Sequence, residues 1–317
     1  MRIVFMGTPD FSVGTLEAII QAGHQVVGVF TQPDKPKGRG KSLQMTPVKE
    51  AALAHGLPVY QPVKIREPEN IEILKELNPD IIVVVAFGQI IPQQILDLPK
   101  FGCINVHASL LPKYRGAAPI QWAVIDGEET SGVTIMQMDA GLDTGDMLLK
   151  GEIPLDPQET GGSLFERLSS LGARLLVEAL PQIEAGTISR EKQPQESPTP
   201  YAAQISKSQG EICWSDPAVK IERLIRGLNP WPSAYTHLEG KNLKLWRAQV
   251  IPREDNLQQR PAPGTLVSQD RESITIQTGD GCLKILEVQL EGKKRMDTAA
   301  FLRGYSLEDG IRLGRTK

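Results

Sequence analysis

The feature that most constrains the fold is the unbroken apolar run Ile81 to Phe87, seven hydrophobic residues in succession. A strand with one face in water alternates apolar and polar side chains, and this run does not. Such a run is typical of a central strand in a parallel sheet whose two faces are covered by helices. It is far shorter than the ~18 residues that a membrane span needs. The chain is therefore expected to build an α/β domain.

The segments on either side of this run support a mostly parallel sheet. Short apolar runs alternate with helix-spaced apolar residues over the first 185 positions, the pattern of βαβ units. The predicted strands are 2–7, 25–31, 58–60, 80–87, 102–107, 132–138 and 147–153, and the predicted helices are 12–22, 46–55, 68–77, 117–125 and 162–185.

The chain of 317 residues exceeds what one hydrophobic core usually organises, so two domains are expected. Three prolines between Pro194 and Pro200 predict a connection between them. The predicted domains are 1–189 and 207–317, with a linker at 190–206. After the linker, a helix at 218–228 precedes five short strands, which suits a small barrel of the oligonucleotide-binding (OB) type or another small β-domain.

Charge is distributed unevenly between the two halves. Residues 1–205 hold 17 Lys and Arg against 24 Asp and Glu, a balance of −7, whereas residues 206–317 hold 18 against 14, a balance of +4; the sum is the net −3. Lys35, Lys37, Arg39 and Lys41 lie within seven residues of a loop that contains two glycines. Contact with a polyanion and a plain solvated surface both fit this composition.

Asn105 and His107 alternate along the predicted strand 102–107, so their side chains share one face of the sheet. They lie near its carboxyl end, where open α/β sheets bind ligands. The loop from Asp139 to Asp146 is acidic and glycine-rich; it is a solvated turn, a calcium loop lacking the usual order, or the source of a carboxylate beside His107. Asn, His and Asp together suit acyl-type transfer, with Asn donating to an oxyanion, His moving protons and Asp orienting His.

Other chemistries lose support. The turn after the first predicted strand, Gly7-Thr8-Pro9-Asp10, lacks both GxGxxG and GxxxxGK[ST], so a dinucleotide or nucleoside triphosphate site is disfavoured. No Ser or Cys is placed as a nucleophile, and Cys103 is expected to pack within its strand. The three cysteines show no CxxC or metal-ligand spacing, which argues against a disulfide scaffold and structural zinc and fits a reducing compartment.

Several motifs together resemble the methionyl-tRNA formyltransferase family over nearly the whole chain. Asn105-Val106-His107, Ser109-Leu110-Leu111-Pro112 and the later Asp143 are shared by folate-dependent formyltransferases generally, whereas the basic loop and the C-terminal β-domain resemble the tRNA-specific members. The other segments that carry the resemblance are Gly7-Thr8-Pro9-Asp10-Phe11, Arg115-Gly116-Ala117-Ala118-Pro119-Ile120, 132–146 and Asn229-Pro230-Trp231-Pro232.

The resemblance implies a Rossmann-like catalytic domain followed by an OB-type barrel. It implies formyl transfer from 10-formyltetrahydrofolate to the α-amine of methionyl-initiator tRNA, without a metal, by a cytoplasmic monomer of bacterial type that contacts no membrane. Asn105, His107 and Asp143 would be catalytic, Ser109, Leu110, Leu111 and Pro112 would bind folate, and Lys35, Lys37, Arg39 and Lys41 would bind tRNA. The alternatives are a formyltransferase for a small amine and a non-catalytic tRNA-binding protein.

Overall fold

A computed structural model describes residues 1–37, 42–252 and 261–315, with the backbone alone for Lys37 and Ser42. The chain divides into two compact units. The first comprises Met1–Pro119, Thr130–Pro154 and Phe165–Ala202, and the second comprises Ile120–Glu129, Leu155–Leu164 and Ala203–Lys317. The boundaries at 189 and 206 stay a prediction.

The first unit is built on a seven-stranded sheet. Strands of this part of the chain are β1 (Arg2–Gly7), β2 (Gln25–Phe30), β3 (Lys35–Lys37), β4 (Ser42–Gln44), β5 (Val59–Tyr60), β6 (Ile81–Val85), β7 (Cys103–His107), β8 (Thr130–Gln137) and β9 (Met147–Pro154). The sheet has the order β5-β2-β1-β6-β7-β8-β9, and β3 pairs with β4 in a separate two-stranded sheet. Pairing is parallel from β5 to β7 and antiparallel from β7 to β9, which confirms the mostly parallel sheet.

Helices connect these strands, and the central strand is covered as its composition predicts. The helices up to residue 185 are α1 (Asp10–Gln21), α2 (Pro47–Ala54), α3 (Pro68–Leu77), α4 (Gln93–Leu96), α5 (Pro119–Asp126) and α6 (Gly161–Ala185). Every residue of β6 is buried. Where β1 ends, a Cβ at Gly7 would stand 2.8 Å from the Ser12 side chain and 3.0 Å from the Val85 carbonyl oxygen, so this turn needs glycine.

The second unit carries an antiparallel sheet. After α7 (Ala218–Gly227) come β10 (Ala234–Leu238), β11 (Lys241–Ile251), β12 (Leu266–Gln269), β13 (Ile274–Gln277), β14 (Cys282–Leu290), β15 (Met296–Asp297) and α8 (Thr298–Gly304). The order is β10-β11-β14-β13-β12, with β15 added beside β14. The register between β11 and β14 shifts on both sides of Arg247, as in β-bulges that bend long strands. The small β-domain expected for the C-terminal half is confirmed, and its sheet is antiparallel.

Within the described ranges, every helix is either too short or too polar to cross a membrane.

Candidate active site

Strand β7 places Asn105 and His107 two residues apart on one face, as the sequence predicts. This strand is parallel to β6 on one side and antiparallel to β8 on the other. Asn105 is half-buried, and His107 is only 6 % exposed. Buried polar side chains need hydrogen-bond partners, and here the partners come from two loops outside the strand.

The first of these loops, residues 138–146, brings Asp143 to the predicted pair. One carboxylate oxygen of Asp143 lies 3.5 Å from Asn105 Nδ2 and 3.7 Å from His107 Nδ1. Its other oxygen accepts a 2.9 Å hydrogen bond from the backbone N–H of Gly116. The three residues predicted to be catalytic are therefore neighbours, although the contacts of Asn105 and His107 with the carboxylate are long. Catalytic hydrogen bonds are often long until substrate binds.

The path of this loop explains why the separation of Asp143 from His107 along the chain does not predict that the two side chains are neighbours. Because β8 is antiparallel to β7, the loop begins beside Cys103, whose carbonyl oxygen accepts from the Met138 N–H, at the end of β7 remote from His107. It must fold back to deliver Asp143, whose φ of 56° lies in the left-handed region. A Cβ at Gly145 would come within 1.8 Å of the Gln137 carbonyl oxygen, so the return of the loop requires glycine.

His107 is held in one tautomer by the second loop. Its Nε2 lies 3.0 Å from the backbone carbonyl oxygen of Tyr114. A carbonyl oxygen only accepts, so Nε2 carries the proton, and in the neutral ring Nδ1 is the nitrogen with the lone pair. That lone pair faces Asp143, which is well placed to stabilise a proton arriving there. A backbone carbonyl leaves no signal in the sequence, and this contact could not have been predicted.

Residues 109–112, expected to bind folate, make a tight turn after β7. The hydroxyl of Thr134 donates to the Ser109 carbonyl oxygen at 2.7 Å and accepts from the Leu111 N–H at 3.1 Å. The Ser109 hydroxyl donates to the Lys113 carbonyl oxygen, and the Leu111 side chain is buried against Met136 and Met147. These contacts fix the turn; folate binding by Ser109, Leu110, Leu111 and Pro112 stays a prediction.

A cavity of about 180 Å³ opens beside Asn105 and Asp143. The loop 86–91 after β6 forms one wall, the acidic loop forms another, and Met136 and Met138 contribute apolar surface. Apolar walls with a few convergent polar groups are typical of small-ligand sites. Residues 86–91 were not among the predicted site residues. They follow the buried central strand at its carboxyl end, and that position was the available signal.

The basic segment is described only in part. Lys35 and the backbone of Lys37 belong to β3, which pairs with β4, whereas Arg39 and Lys41 lie outside the described residues. At its base, Asp34 accepts hydrogen bonds from Lys49 Nζ at 2.6 Å and Gln61 Nε2 at 2.7 Å. The hydrogen bond from Lys49, followed by that from Gln61, lowers the pKa of Asp34. The described ends of the predicted loop are thus corrected to two short paired strands, Lys35–Lys37 and Ser42–Gln44.

Cys103 shares the face of β7 with Asn105 and His107 but is not a nucleophile. Its side chain is 1 % exposed, and its thiol lies 3.6 Å from the carbonyl oxygen of Ile95. Burial, with a smaller contribution from the charge of Asp97, raises the pKa of this thiol to about 12. In the described stretches of the chain, no three His, Cys, Asp or Glu side chains cluster to hold a metal ion.

Comparison with known proteins gives matches along most of the chain. Residues 1–180 match the formyl transferase family model, and residues 204–306 match the model of the formyl transferase C-terminal domain. The methionyl-tRNA formyltransferase of Agathobacter rectalis is 62 % identical over 98 % of both chains, and that of Clostridioides difficile is 51 % identical over 99 % of this chain and 100 % of its own.

Solved structures share the fold at lower identity. The sugar 3N-formyl transferase WlaRD, solved with dTDP and 5-N-formyl-THF, has a TM-score of 0.64 at 19 % identity, covering 93 % of this chain and 99 % of its own. HypX from Aquifex aeolicus, solved with tetrahydrofolic acid, has a TM-score of 0.61 at 18 % identity; it covers 100 % of this chain, which spans 51 % of HypX.

Proposed function

This chain belongs to the methionyl-tRNA formyltransferase family, and from that premise we infer that it transfers the formyl group of 10-formyltetrahydrofolate to the α-amino group of methionyl-initiator tRNA. The product is the N-formylmethionyl-tRNA used in translation initiation. For the site, this inference rests on the proximity of Asn105, His107 and Asp143 beside the cavity.

Asn105 is proposed to stabilise the negative charge that develops on the formyl oxygen. Its amide nitrogen has two N–H groups, and only one of them points towards Asp143, at 3.5 Å. The side chain also lines the cavity, so the second N–H is available to a ligand there. A neutral donor held at a fixed position before the reaction is the usual arrangement of an oxyanion hole.

His107 and Asp143 are proposed to move the protons. The attacking amine must lose a proton, and the folate nitrogen must gain one to leave. Nδ1 of His107 can take and return that proton, because Nε2 is committed to the Tyr114 carbonyl oxygen. Asp143 lines the cavity and lies 3.7 Å from Nδ1, so it is placed to stabilise the imidazolium and to relay protons through water.

The cavity is proposed to receive the folate ring. 10-Formyltetrahydrofolate supplies the formyl group on a nitrogen that can leave. Met136 and Met138 offer apolar contact, and the adjoining loop 86–91 offers backbone groups for ring nitrogens. Ser109, Leu110, Leu111 and Pro112 are proposed to contact the remainder of the folate, as the family resemblance implies.

The tRNA is proposed to meet the protein at its basic segments. Phosphates of the acceptor stem would be contacted by Lys35, Lys37, Arg39 and Lys41. In the C-terminal unit, residues 293–295 would contact the tRNA backbone. Phosphate contacts of this kind position a nucleic acid without reading its sequence. We further propose a cytoplasmic monomer that contacts no membrane; sedimentation of the purified protein with and without tRNA would test the oligomeric state.

A competition assay tests the function. Purified full-length protein and 10-formyltetrahydrofolate are mixed with three acceptors: methionyl-initiator tRNA, a dTDP-linked amino sugar and glycinamide ribonucleotide. Formylated tRNA is the expected product. Formylation of either small amine at a comparable rate would instead establish the small-amine alternative.

A second measurement separates an enzyme from a non-catalytic tRNA-binding protein. Folate bound to the native state raises the unfolding temperature by mass action. Tetrahydrofolate is expected to protect the protein against thermal unfolding even without tRNA. A protein that tRNA stabilises and tetrahydrofolate does not would be a binding protein on this scaffold.

A further inference from the structure

Arg115 is a buried arginine, and its three hydrogen-bond acceptors among the described residues are all uncharged. Its side chain is 8 % exposed. Nε donates to Oε1 of Gln193 at 3.0 Å, and the two terminal nitrogens donate to the carbonyl oxygens of Pro194 at 2.7 Å and Gln195 at 3.2 Å. Taking a guanidinium out of water is costly unless its donors are used. The cation is thus committed to a stretch of chain that composition predicts to be a linker.

Gln193 extends this contact to the acidic loop. Its Nε2 donates to the carbonyl oxygens of Asp143 at 2.9 Å and Gly145 at 2.8 Å. The orientation of the amide is fixed, because a flipped amide would set its oxygen against two carbonyl oxygens and its N–H groups against Arg115. One side chain therefore joins the buried cation to the backbone on which the Asp143 carboxylate is mounted.

The same stretch holds the loop that fixes His107. The N–H of Tyr114 donates to the Thr199 hydroxyl at 2.7 Å, and the Ser197 hydroxyl donates to the Pro112 carbonyl oxygen at 2.8 Å. The carbonyl of Tyr114 is the acceptor for Nε2 of His107. Residues 193–199, which we name the clasp, therefore contact the supports of both catalytic groups.

We propose that Arg115 and Gln193 are positioning residues, and that the clasp sets the place of Asp143 relative to His107. This inference rests on the proposed function. Asn105 and His107 hold the Asp143 carboxylate only weakly, at 3.5 and 3.7 Å. Its firm contacts are the Gly116 N–H and, through its own backbone, Gln193. Displacement of a reacting group by about 1 Å can cost about 100-fold in rate.

Gln193→Glu tests the clasp with little change in size. The variant keeps an acceptor for Arg115 but replaces two donated hydrogen bonds with a carboxylate that faces two carbonyl oxygens. We expect kcat to fall about tenfold to 100-fold, with KM for tRNA and for folate within about threefold of wild type. The matched control is Gln21→Glu, the same change at an exposed position in the last turn of α1, outside the clasp. It is expected to retain wild-type kcat.

A double-mutant cycle tests whether the two residues act as one unit. Arg115→Lys keeps the charge but loses the fork of donors. If Arg115 acts through Gln193, adding Arg115→Lys to Gln193→Ala lowers kcat little beyond Gln193→Ala alone. Fully additive losses would show that Arg115 does not act through Gln193 and would overturn their joint role as positioning residues.

The outcomes separate the clasp from the function on which it rests. Wild-type protein that formylates no tRNA would defeat the proposed function. Active wild type with unchanged kcat in Gln193→Glu would overturn the clasp alone, and so would an equal loss in Gln21→Glu or a rise in KM without a fall in kcat. All assays are run below the onset of unfolding of each variant, and kcat is expressed per folded molecule.

Discussion

The acidic loop 138–146 and the described ends of the basic segment, 35–37 and 42–44, are held by different contacts. The acidic loop is fastened along its length: Asp139 accepts from the Gly141 N–H and the Thr144 hydroxyl, and Gln193 donates to two of its carbonyls. The residues that flank the basic segment are joined by the buried hydroxyls of Thr31 and Thr46, which lie 2.7 Å apart. Its two strands form a sheet of their own.

This difference matches the tasks proposed for the two segments. A carboxylate that stabilises a proton must stay within a few tenths of an ångström of its partner, so its loop needs many internal bonds. Cations that meet phosphates act over a longer range and need to be exposed. On β4 and just after it, Leu43 and Met45 are 68 % and 43 % exposed, which leaves apolar as well as charged surface open to a large partner.

The largest expected effect is on the chemistry beside the acidic loop. Asn105→Ala removes the proposed donor to the formyl oxygen, and kcat should fall about 10²–10³-fold with a smaller change in KM. Single-turnover formylation of methionyl-initiator tRNA measures this. Thermal protection by tetrahydrofolate should persist, since the cavity walls remain. Near-normal turnover would remove Asn105 from the catalytic set.

The second prediction concerns the turn that follows β7. Thr134→Val preserves shape but leaves the Ser109 carbonyl oxygen and the Leu111 N–H without their buried partner. The free energy of unfolding should fall by about 1–3 kcal/mol, measured by urea denaturation. Thr187→Val, an exposed position with one long hydrogen bond, is the control and should change little. Equal losses in the two variants would mean that the Thr134 hydroxyl does not stabilise this turn more than an exposed hydroxyl would.

Whether a contact of the fold or the site could be predicted from the sequence depends on whether side-chain or backbone atoms make it. The apolar run fixed β6 as central, and the spacing of Asn105 and His107 placed both on one face. The strand β3 was missed because it consists of Lys and Pro, which are poor strand formers, and its three-residue partner β4 was missed with it. The Tyr114 carbonyl was also missed, since backbone acceptors are the same in every residue type. Side-chain chemistry can be predicted from residue identity, whereas contacts made by folded backbone cannot.

The third prediction turns to the basic segment. Arg39→Ala should raise KM for tRNA, leave kcat nearly unchanged and reduce the salt dependence of tRNA binding by about one unit of slope, the value for one phosphate contact. Titrations of tRNA at several salt concentrations measure the slope. An unchanged slope would mean that Arg39 contacts no phosphate and that the basic segment is a solvated surface without a role in tRNA binding.

Asp34→Asn should act on the same segment with a smaller effect. The substitution weakens the contact with Lys49 at the base and adds no contact with phosphate. We expect a smaller rise in KM for tRNA than in Arg39→Ala, and a salt slope that does not decrease. A slope that falls as in Arg39→Ala would mean that the anchor and the cations cannot be separated.

The smallest effect is expected at Cys103, which lies on the same face of β7 but outside the contacts of both loops with Asn105 and His107. A thiol whose pKa is about 12 stays protonated at neutral pH and attacks nothing. Cys103→Ala should therefore keep kcat within about twofold, with at most a modest loss of stability from the small cavity. Alkylation at pH 8 should modify the exposed Cys213 before the buried Cys103 and leave turnover intact. Loss of activity in Cys103→Ala at an unchanged unfolding midpoint would contradict this prediction. It would mean that a position on this face of β7 is enough for a part in the reaction, without a contact with the acidic loop.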